Sequence, residues 1–238
     1  MAVNCSPIEM KRDVGVIIVA AGSGSRAGSK ELKQFRWVAG KPMLLHSVQT
    51  FQARSDVAMV VCVLPREYVG DPPPWIFQSE ADRLLLSVGG RHRSESVANG
   101  LEDMPAECEI VVIHDAARPL VSAETVAKVI EEARKGNAAV AALPVNDTLK
   151  RVDSDGNVVI TVDRFGLWRA QTPQAFPRKM LERAHREAQK ADRIATDDAA
   201  LCEQLGESVV IVRGSERAAK ITEENDFALV EALSILRE

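Results

Sequence analysis

The chain has 238 residues, 46% of them hydrophobic and 27% charged, the proportions of a globular protein with a sizeable core and not of a disordered or fibrous one. Thirty Lys and Arg face 34 Asp and Glu, a net charge of -4, so there is no basic excess for gripping nucleic acid without sequence preference. An aromatic content of 4% argues against stacking platforms for single strands, and any anionic ligand must meet a local concentration of positive charge.

Residues 1–13 lack the apolar core of a signal peptide, and no apolar run reaches the length of a membrane span. Cys5, Cys62, Cys108 and Cys202 lie far apart with no C-x-x-C pair, the usage of reduced thiols and not of a disulfide framework or a thiolate metal site. A cytoplasmic protein without membrane or nucleic-acid partners is expected.

In chain order, short apolar β-branched runs at 14–19, 57–63, 84–88, 110–113, 138–143 and 208–212 read as strands buried on both faces. Amphipathic stretches at 42–53, 94–104, 123–135, 178–189, 197–205 and 223–236 read as helices between and after them. This alternation predicts an α/β fold: a single Rossmann-like domain over 14–238 with a mostly parallel sheet, preceded by a tail over 1–13. The segment from 146 to 172 breaks the rhythm. Two short runs of β-formers, 148–152 and 158–162, flank Asp153-Ser-Asp-Gly-Asn157, the pattern of a hairpin. With no obvious place in a parallel sheet, it is expected to project as an arm and to pack on a second copy of the chain.

Ligands of such sheets sit beyond the carboxyl ends of the strands. The first such loop, Val19-Ala-Ala-Gly-Ser-Gly-Ser-Arg-Ala-Gly28, is rich in small residues that let backbone N–H groups approach an anion. It is not a P-loop, since G-x-x-x-x-G-K-[ST] is absent. It matches a loose dinucleotide pattern through Gly22, Gly24 and Ala27, but the next strand ends at Leu64-Pro65-Arg66 without an acidic residue for a ribose. Arg26, Lys30 and Lys33 follow the glycines, a cluster suited to a phosphate under attack and a departing pyrophosphate. The other readings of the loop are a dinucleotide-dependent oxidoreductase, a nucleotide-binding module without turnover, or a glycine turn beside solvated charges.

Ala20-Ala-Gly-Ser-Gly-Ser-Arg-Ala-Gly28 with Lys33-Gln34-Phe35 resembles the loop of nucleotidyltransferases that join a sugar or polyol phosphate to a nucleoside triphosphate. Gly89-Gly90-x-x-Arg93-x-x-Ser96-Val97, His114-Asp-Ala-Ala-Arg-Pro119, Asp147-Thr148-x-Lys150, Thr161-Val-Asp-Arg164, Thr172-Pro-Gln174 and Ala219-Lys220-Ile221-Thr222 follow in the order of the 2-C-methyl-D-erythritol 4-phosphate cytidylyltransferase family, nearly end to end. Ala27 and Leu32 stand where that family usually has Met and Pro.

The resemblance implies transfer of a cytidylyl group from CTP to 2-C-methyl-D-erythritol 4-phosphate, in the non-mevalonate isoprenoid pathway, by a homodimer joined through the 146–172 arm. It implies catalytic roles for Arg26, Lys33, Arg164 and Lys220, and nucleotide contacts from Ala20, Ala21, Gly22, Ser23, Gly24, Gly89, Gly90, Ser96 and Asp115. Asp115, Arg118, Thr148, Arg164, Thr172 and Lys220 would meet the polyol phosphate. No metal ligands are assigned; Mg²⁺, or another divalent cation, is expected to be held mainly by the CTP phosphates. A cytidylyltransferase for another polyol phosphate, such as ribitol 5-phosphate, would share these phosphate contacts. His114 is expected to be packed or hydrogen-bonded and to take no catalytic part.

Overall fold

The computed structural model describes residues 11–22, 32–193 and 195–236. Seven strands make one sheet: β1 (Val14–Val19), β4 (Val57–Leu64), β5 (Leu84–Val88), β6 (Ile110–Asp115), β7 (Ala138–Pro144), β10 (Trp168–Pro177) and β11 (Val209–Arg213). Their order is β11-β7-β10-β6-β1-β4-β5. All pairings are parallel except those of β10, which runs antiparallel to both β6 and β7.

The apolar runs of β1, β4, β6 and β7 follow from cover on both faces, whereas β5 and β11, at the two edges of the sheet, are only partly buried, with Leu85 and Ile211 exposed. Along β1, Val14, Val16 and Ile18 join one core layer with α1 (Met43–Gln52) and α4 (Ala123–Arg134). Ile17 points into the opposite layer, beneath α3 (Arg93–Glu102), α5 (Arg178–Lys190) and α6 (Asp198–Glu203). Neither face of the strand is left for polar side chains, so period-two alternation disappears. A third, smaller core joins Val38, Met43, Ile221, Phe227 and Val230, seating α7 (Asn225–Ser234) against the rest. The remaining helix, α2 (Arg66–Val69), is a single turn after β4.

Two strand features differ from the sequence reading. A two-residue turn with positive φ at Ala39 (48°) and Gly40 (82°) joins β2 (Trp37–Val38) to β3 (Lys41–Pro42), a hairpin too short to leave a periodic signal. More consequential is β10. The arm expected over 146–172 is narrower: β8 (Leu149–Val152) and β9 (Val158–Val162) form their own two-stranded sheet, whereas Trp168, Arg169 and Ala170 pair with Pro144, Leu143 and Ala142 of β7. Residues 168–172 therefore belong to the main sheet. Buried polar side chains hide this strand from an apolar scan: Gln171, Thr172 and Gln174 are each under 8% exposed. Most of their polar groups find partners across the fold: Gln174 Nε2 donates to Asp197 and Gln171 Nε2 to the Ser215 carbonyl, while Gln171 Oε1 is buried without a hydrogen-bond partner.

At the other end, Asp13, the last residue of the expected N-terminal tail, is bonded into the fold. Its carbonyl accepts from the Glu109 and Ile110 N–H groups, and its carboxylate accepts from Arg134 at 2.8 Å.

Candidate active site

Strand register brings the loops together. Val19 lies beside both Val63 and Asp115, and Leu64 beside Val88, so β1, β4, β5 and β6 end level with one another. At this carboxyl edge opens a cleft of about 320 Å³. Ala20, Ala21 and Gly22 line it after β1, Gly90 to Arg93 and Ser96 after β5, and Asp115 to Ala117 at the end of β6. Lys33 and Gln34 come from the turn Lys33–Phe35, and Lys220 and Thr222 from the segment before α7.

The loops touch closely enough to demand glycine. A Cβ on Gly89 would overlap that of Ala21, and one on Gly90 would overlap Glu95. Ser96 lies in the first turn of α3, where its hydroxyl donates to the His92 carbonyl and accepts from the Gly90 N–H, both at 3.1 Å. It braces the glycine turn while facing the cleft.

Positive charge is concentrated here despite the acidic chain. Among the described lining residues Lys33, Arg91, Arg93 and Lys220 face one carboxylate, Asp115. Lys33 Nζ donates to the Ile221 carbonyl at 2.7 Å. Lys220 Nζ lies 2.7 Å from Asp115 Oδ2, and Arg93 Nε lies 3.4 Å from Oδ1. Arg93 also reaches away from the cleft to Asp198, at 2.5 Å, and Asp198 in turn accepts from His185 Nε2 at 3.0 Å. Asp198 is 1% exposed. Burial alone would raise the Asp115 and Asp198 pKa values. Arg93 and Lys220 for the first, and His185 and Arg93 for the second, outweigh it, and both carboxyls are held below their ordinary value.

Of the residues singled out in the sequence, Ala20, Ala21, Gly22, Lys33, Gly90, Ser96, Asp115 and Lys220 meet at this cleft, with Gly89 against Ala21. Ser23, Gly24, Arg26 and Lys30 lie outside the described residues. Thr172 is buried behind Asp115: its Oγ1 accepts from the Asp115 N–H at 3.0 Å and pairs with His114 Nδ1 at 3.2 Å. Arg118 turns toward the C-terminal segment and donates to the Ala218 carbonyl at 2.7 Å. Thr148 and Arg164 stand exposed on the arm, and neither is among the described residues lining this cleft.

His114 is fully buried, with its ring edge-on to Phe51 and Nε2 against the Arg118 carbonyl. Desolvation lowers its pKa to about 4, so at neutral pH it is an uncharged packing group. Sequence reasoning assigns no role to Gln34, Arg93 or Asp198. The first two lie within quoted motifs, while Asp198 shows only as one of two consecutive aspartates opening a helix.

No group of three or more His, Cys, Asp and Glu among the described residues is placed to hold a metal ion. Asp115, the one carboxylate among the described residues lining the cleft, could serve a divalent cation only together with ligands that the substrate brings.

A glycine-lined, cation-rich cleft at the carboxyl edge of a doubly wound sheet is the site of a protein that handles phosphorylated nucleotides. Similarity to known proteins narrows this class. Residues 14–238 match the model of the family described as 2-C-methyl-D-erythritol 4-phosphate cytidylyltransferase (IspD), and the chain belongs to that family. Relatives bearing that enzyme's name include one from Syntrophus aciditrophicus, 40% identical over 94% of this chain and 96% of its own. Another, from Salinibacter ruber, is 42% identical over 92% of each. The crystal structure of the enzyme of that name from Thermus thermophilus superposes with a TM-score of 0.79 at 36% identity, covering 94% of this chain and 100% of that one.

Proposed function

We propose that the cleft transfers the cytidylyl group of CTP to 2-C-methyl-D-erythritol 4-phosphate, a step of the non-mevalonate route to isoprenoids. The observation that carries this reading is the convergence of Lys33, Arg93 and Lys220 with two glycine-bearing turns on one sheet edge, in a chain of this family. An oxygen of the substrate's 4-phosphate attacks the α-phosphorus of CTP. The new O–P bond forms as the bond to the β-phosphate bridge breaks, and pyrophosphate leaves. A phosphate monoester has its second pKa near ~6, so the nucleophile is already ionised and needs no general base. The neutral, enclosed His114 is consistent with that.

Catalysis is then positioning and charge neutralisation. Lys33 with Arg26 meets the triphosphate, the Gly89-Gly90 turn and Ser96 meet the cytosine, and Asp115 meets ribose or polyol hydroxyls. Lys220 holds the 4-phosphate. A magnesium ion bound through the triphosphate, with Asp115 the nearest described protein carboxylate, would supply further charge neutralisation.

Residues 14–238 act as one catalytic unit whose arm joins two copies in a homodimer. Val152, Val158, Val159 and Ile160 of the arm are each more than half exposed, and Phe165 beside it is 92% exposed, apolar surface that a second subunit would bury. Thr148 and Arg164 would then complete the partner's cleft, with Arg164 on the substrate phosphate. No helix among the described residues is long and apolar enough to cross a membrane, and Cys62, Cys108 and Cys202 are buried and free, which supports a cytoplasmic setting.

Pyrophosphate release from CTP tests the reading. It is expected with 2-C-methyl-D-erythritol 4-phosphate, and neither with CTP alone nor appreciably with ribitol 5-phosphate. Equal or faster release with ribitol 5-phosphate would reassign the substrate, and tight NAD(P) binding without release would reassign the class.

A further inference from the structure

The described start of the first cleft loop, residues 20–22, is held by a side chain that the reaction does not use directly. Gln34 sits in the turn Lys33–Phe35, further along the chain, and is 4% exposed. Its Nε2 donates to the Ala20 carbonyl at 2.6 Å and to the Gly22 carbonyl at 3.2 Å. Both amide protons are thus spent on two carbonyl oxygens, two residues apart, of the backbone that opens the cleft loop. Such oxygens carry partial negative charge, and a phosphate beside them would be repelled.

The mounting of Gln34 is firm on both sides. The adjacent Phe35 ring meets Tyr68 and Trp75 edge-on, with centroids 4.9 and 5.6 Å away, fixing the turn in the core. Lys33, on its other side, reaches the Ile221 carbonyl. Opposite, Ala21 lies against Gly89 too closely for a Cβ there. Residues 20–22 are therefore clamped between the Gln34 amide and the second glycine turn.

We infer that Gln34 is a positioning residue for the triphosphate: its two donors hold the Ala20 and Gly22 carbonyls off the ligand and so set residues 20–22, the part of the cleft wall offered to the phosphates. The inference rests on the cytidylyltransferase reading of this same cleft. It makes the amide, not the volume, the property that matters at position 34.

Gln34→Met keeps the length and removes both donors without adding charge, and Gln34→Leu serves if methionine is not accommodated. Calorimetry on the full chain would measure binding of magnesium CTP and of pyrophosphate, and ligand-observed NMR that of cytidine, with thermal melts as the control for folding. The expected result is a loss of about 10- to 100-fold in affinity for CTP and pyrophosphate, with cytidine changed less than about two-fold, since an ångström-scale displacement of a positioning element has effects of that order. A residue that only stabilised the fold would lower the melting temperature without separating pyrophosphate from cytidine. Retained pyrophosphate affinity, or equal losses for all three ligands, overturns the inference. If the unaltered protein bound neither CTP nor pyrophosphate, the cytidylyltransferase reading itself would fall.

Discussion

Acidification should destabilise this protein well above the pH at which its carboxylates titrate, and His114 is the reason. An imidazole has an ordinary pKa near 6.5, and burial brings that of His114 down to about 4. Between these values the unfolded chain binds a proton at this position and the folded chain does not, so stability falls as pH falls through the window. At about 1.4 kcal/mol per pH unit the full window corresponds to roughly 3 kcal/mol, undiminished by solvent because the side chain is fully buried. His46, also held low by burial, pulls in the same direction. Asp115 and Asp198, held below their ordinary value, act on the acid side: their contribution is complete above about pH 4 and disappears as pH falls through their folded values. Urea unfolding at pH 7.5, 5.5 and 4.5 would separate these effects, comparing the unaltered protein with His114→Asn. The protein should lose about 2–3 kcal/mol across that range through His114 alone. The variant, whatever its absolute stability, should lose correspondingly less. Parallel pH profiles for the two would refute the assignment.

Asp198→Ala removes one partner of a buried ion pair, typically worth 3–5 kcal/mol. Arg93 retains Asp115, which places the loss near about 3 kcal/mol and a melting-temperature drop of about 6–12 °C; a drop under about 2 °C would show the pair to be dispensable. Lys33→Ala should lower turnover by about 100- to 1000-fold and Lys30→Ala by much less, since only the first removes the charge assigned to the transition state; the reverse order in steady-state assays would move the role to Lys30. Mixing inactive Arg164→Met with inactive Lys33→Ala subunits, with reassociation verified by mass, should restore about a quarter of normal activity if the arm acts on the partner's cleft, and none if each chain builds its own.

The sheet is legible in the sequence wherever the physics of cover is simple. Six strands announce themselves as apolar runs, with β1, β4, β6 and β7 covered on both faces and the edge strands β5 and β11 only in part, and the helices between them by their periodicity. The seventh is hidden because β10 fills the middle of the sheet with Gln171, Thr172 and Gln174, whose partners are supplied by segments that no local pattern connects to them. The cleft follows the same division. Its loops are readable because residues placed just after parallel strands must gather at one edge, whichever order the strands adopt. The wiring is not: Arg93 meets Asp198 across 105 positions of sequence, and Lys33 meets the Ile221 carbonyl across 188. Gln34 is nearer its partners, but a glutamine in a short turn carries no sign that both its protons are committed.

Asp198 also bears on how an acidic protein maintains a cationic cleft. Lys33, Arg91, Arg93 and Lys220 line one space of about 320 Å³, and like charges so close oppose folding until a polyanion arrives. A carboxylate among them relieves the repulsion but occupies the field that the phosphates need, and Asp115 is the only described lining residue placed there to do it. Asp198 meets the same need from behind. It lies on α6, buried, and pairs with the far side of Arg93 while His185 satisfies its second oxygen. The folded state gains a counter-charge, yet the face of Arg93 turned to the cleft stays positive. Substituting Asp198 should therefore disturb the resting protein more than the ligand-bound one, because bound phosphates supply the neutralisation that it provides. CTP should raise the melting temperature of Asp198→Ala by more than that of the unaltered protein; an equal or smaller rise would mean that Asp198 supports the fold without regard to the charge of the cleft.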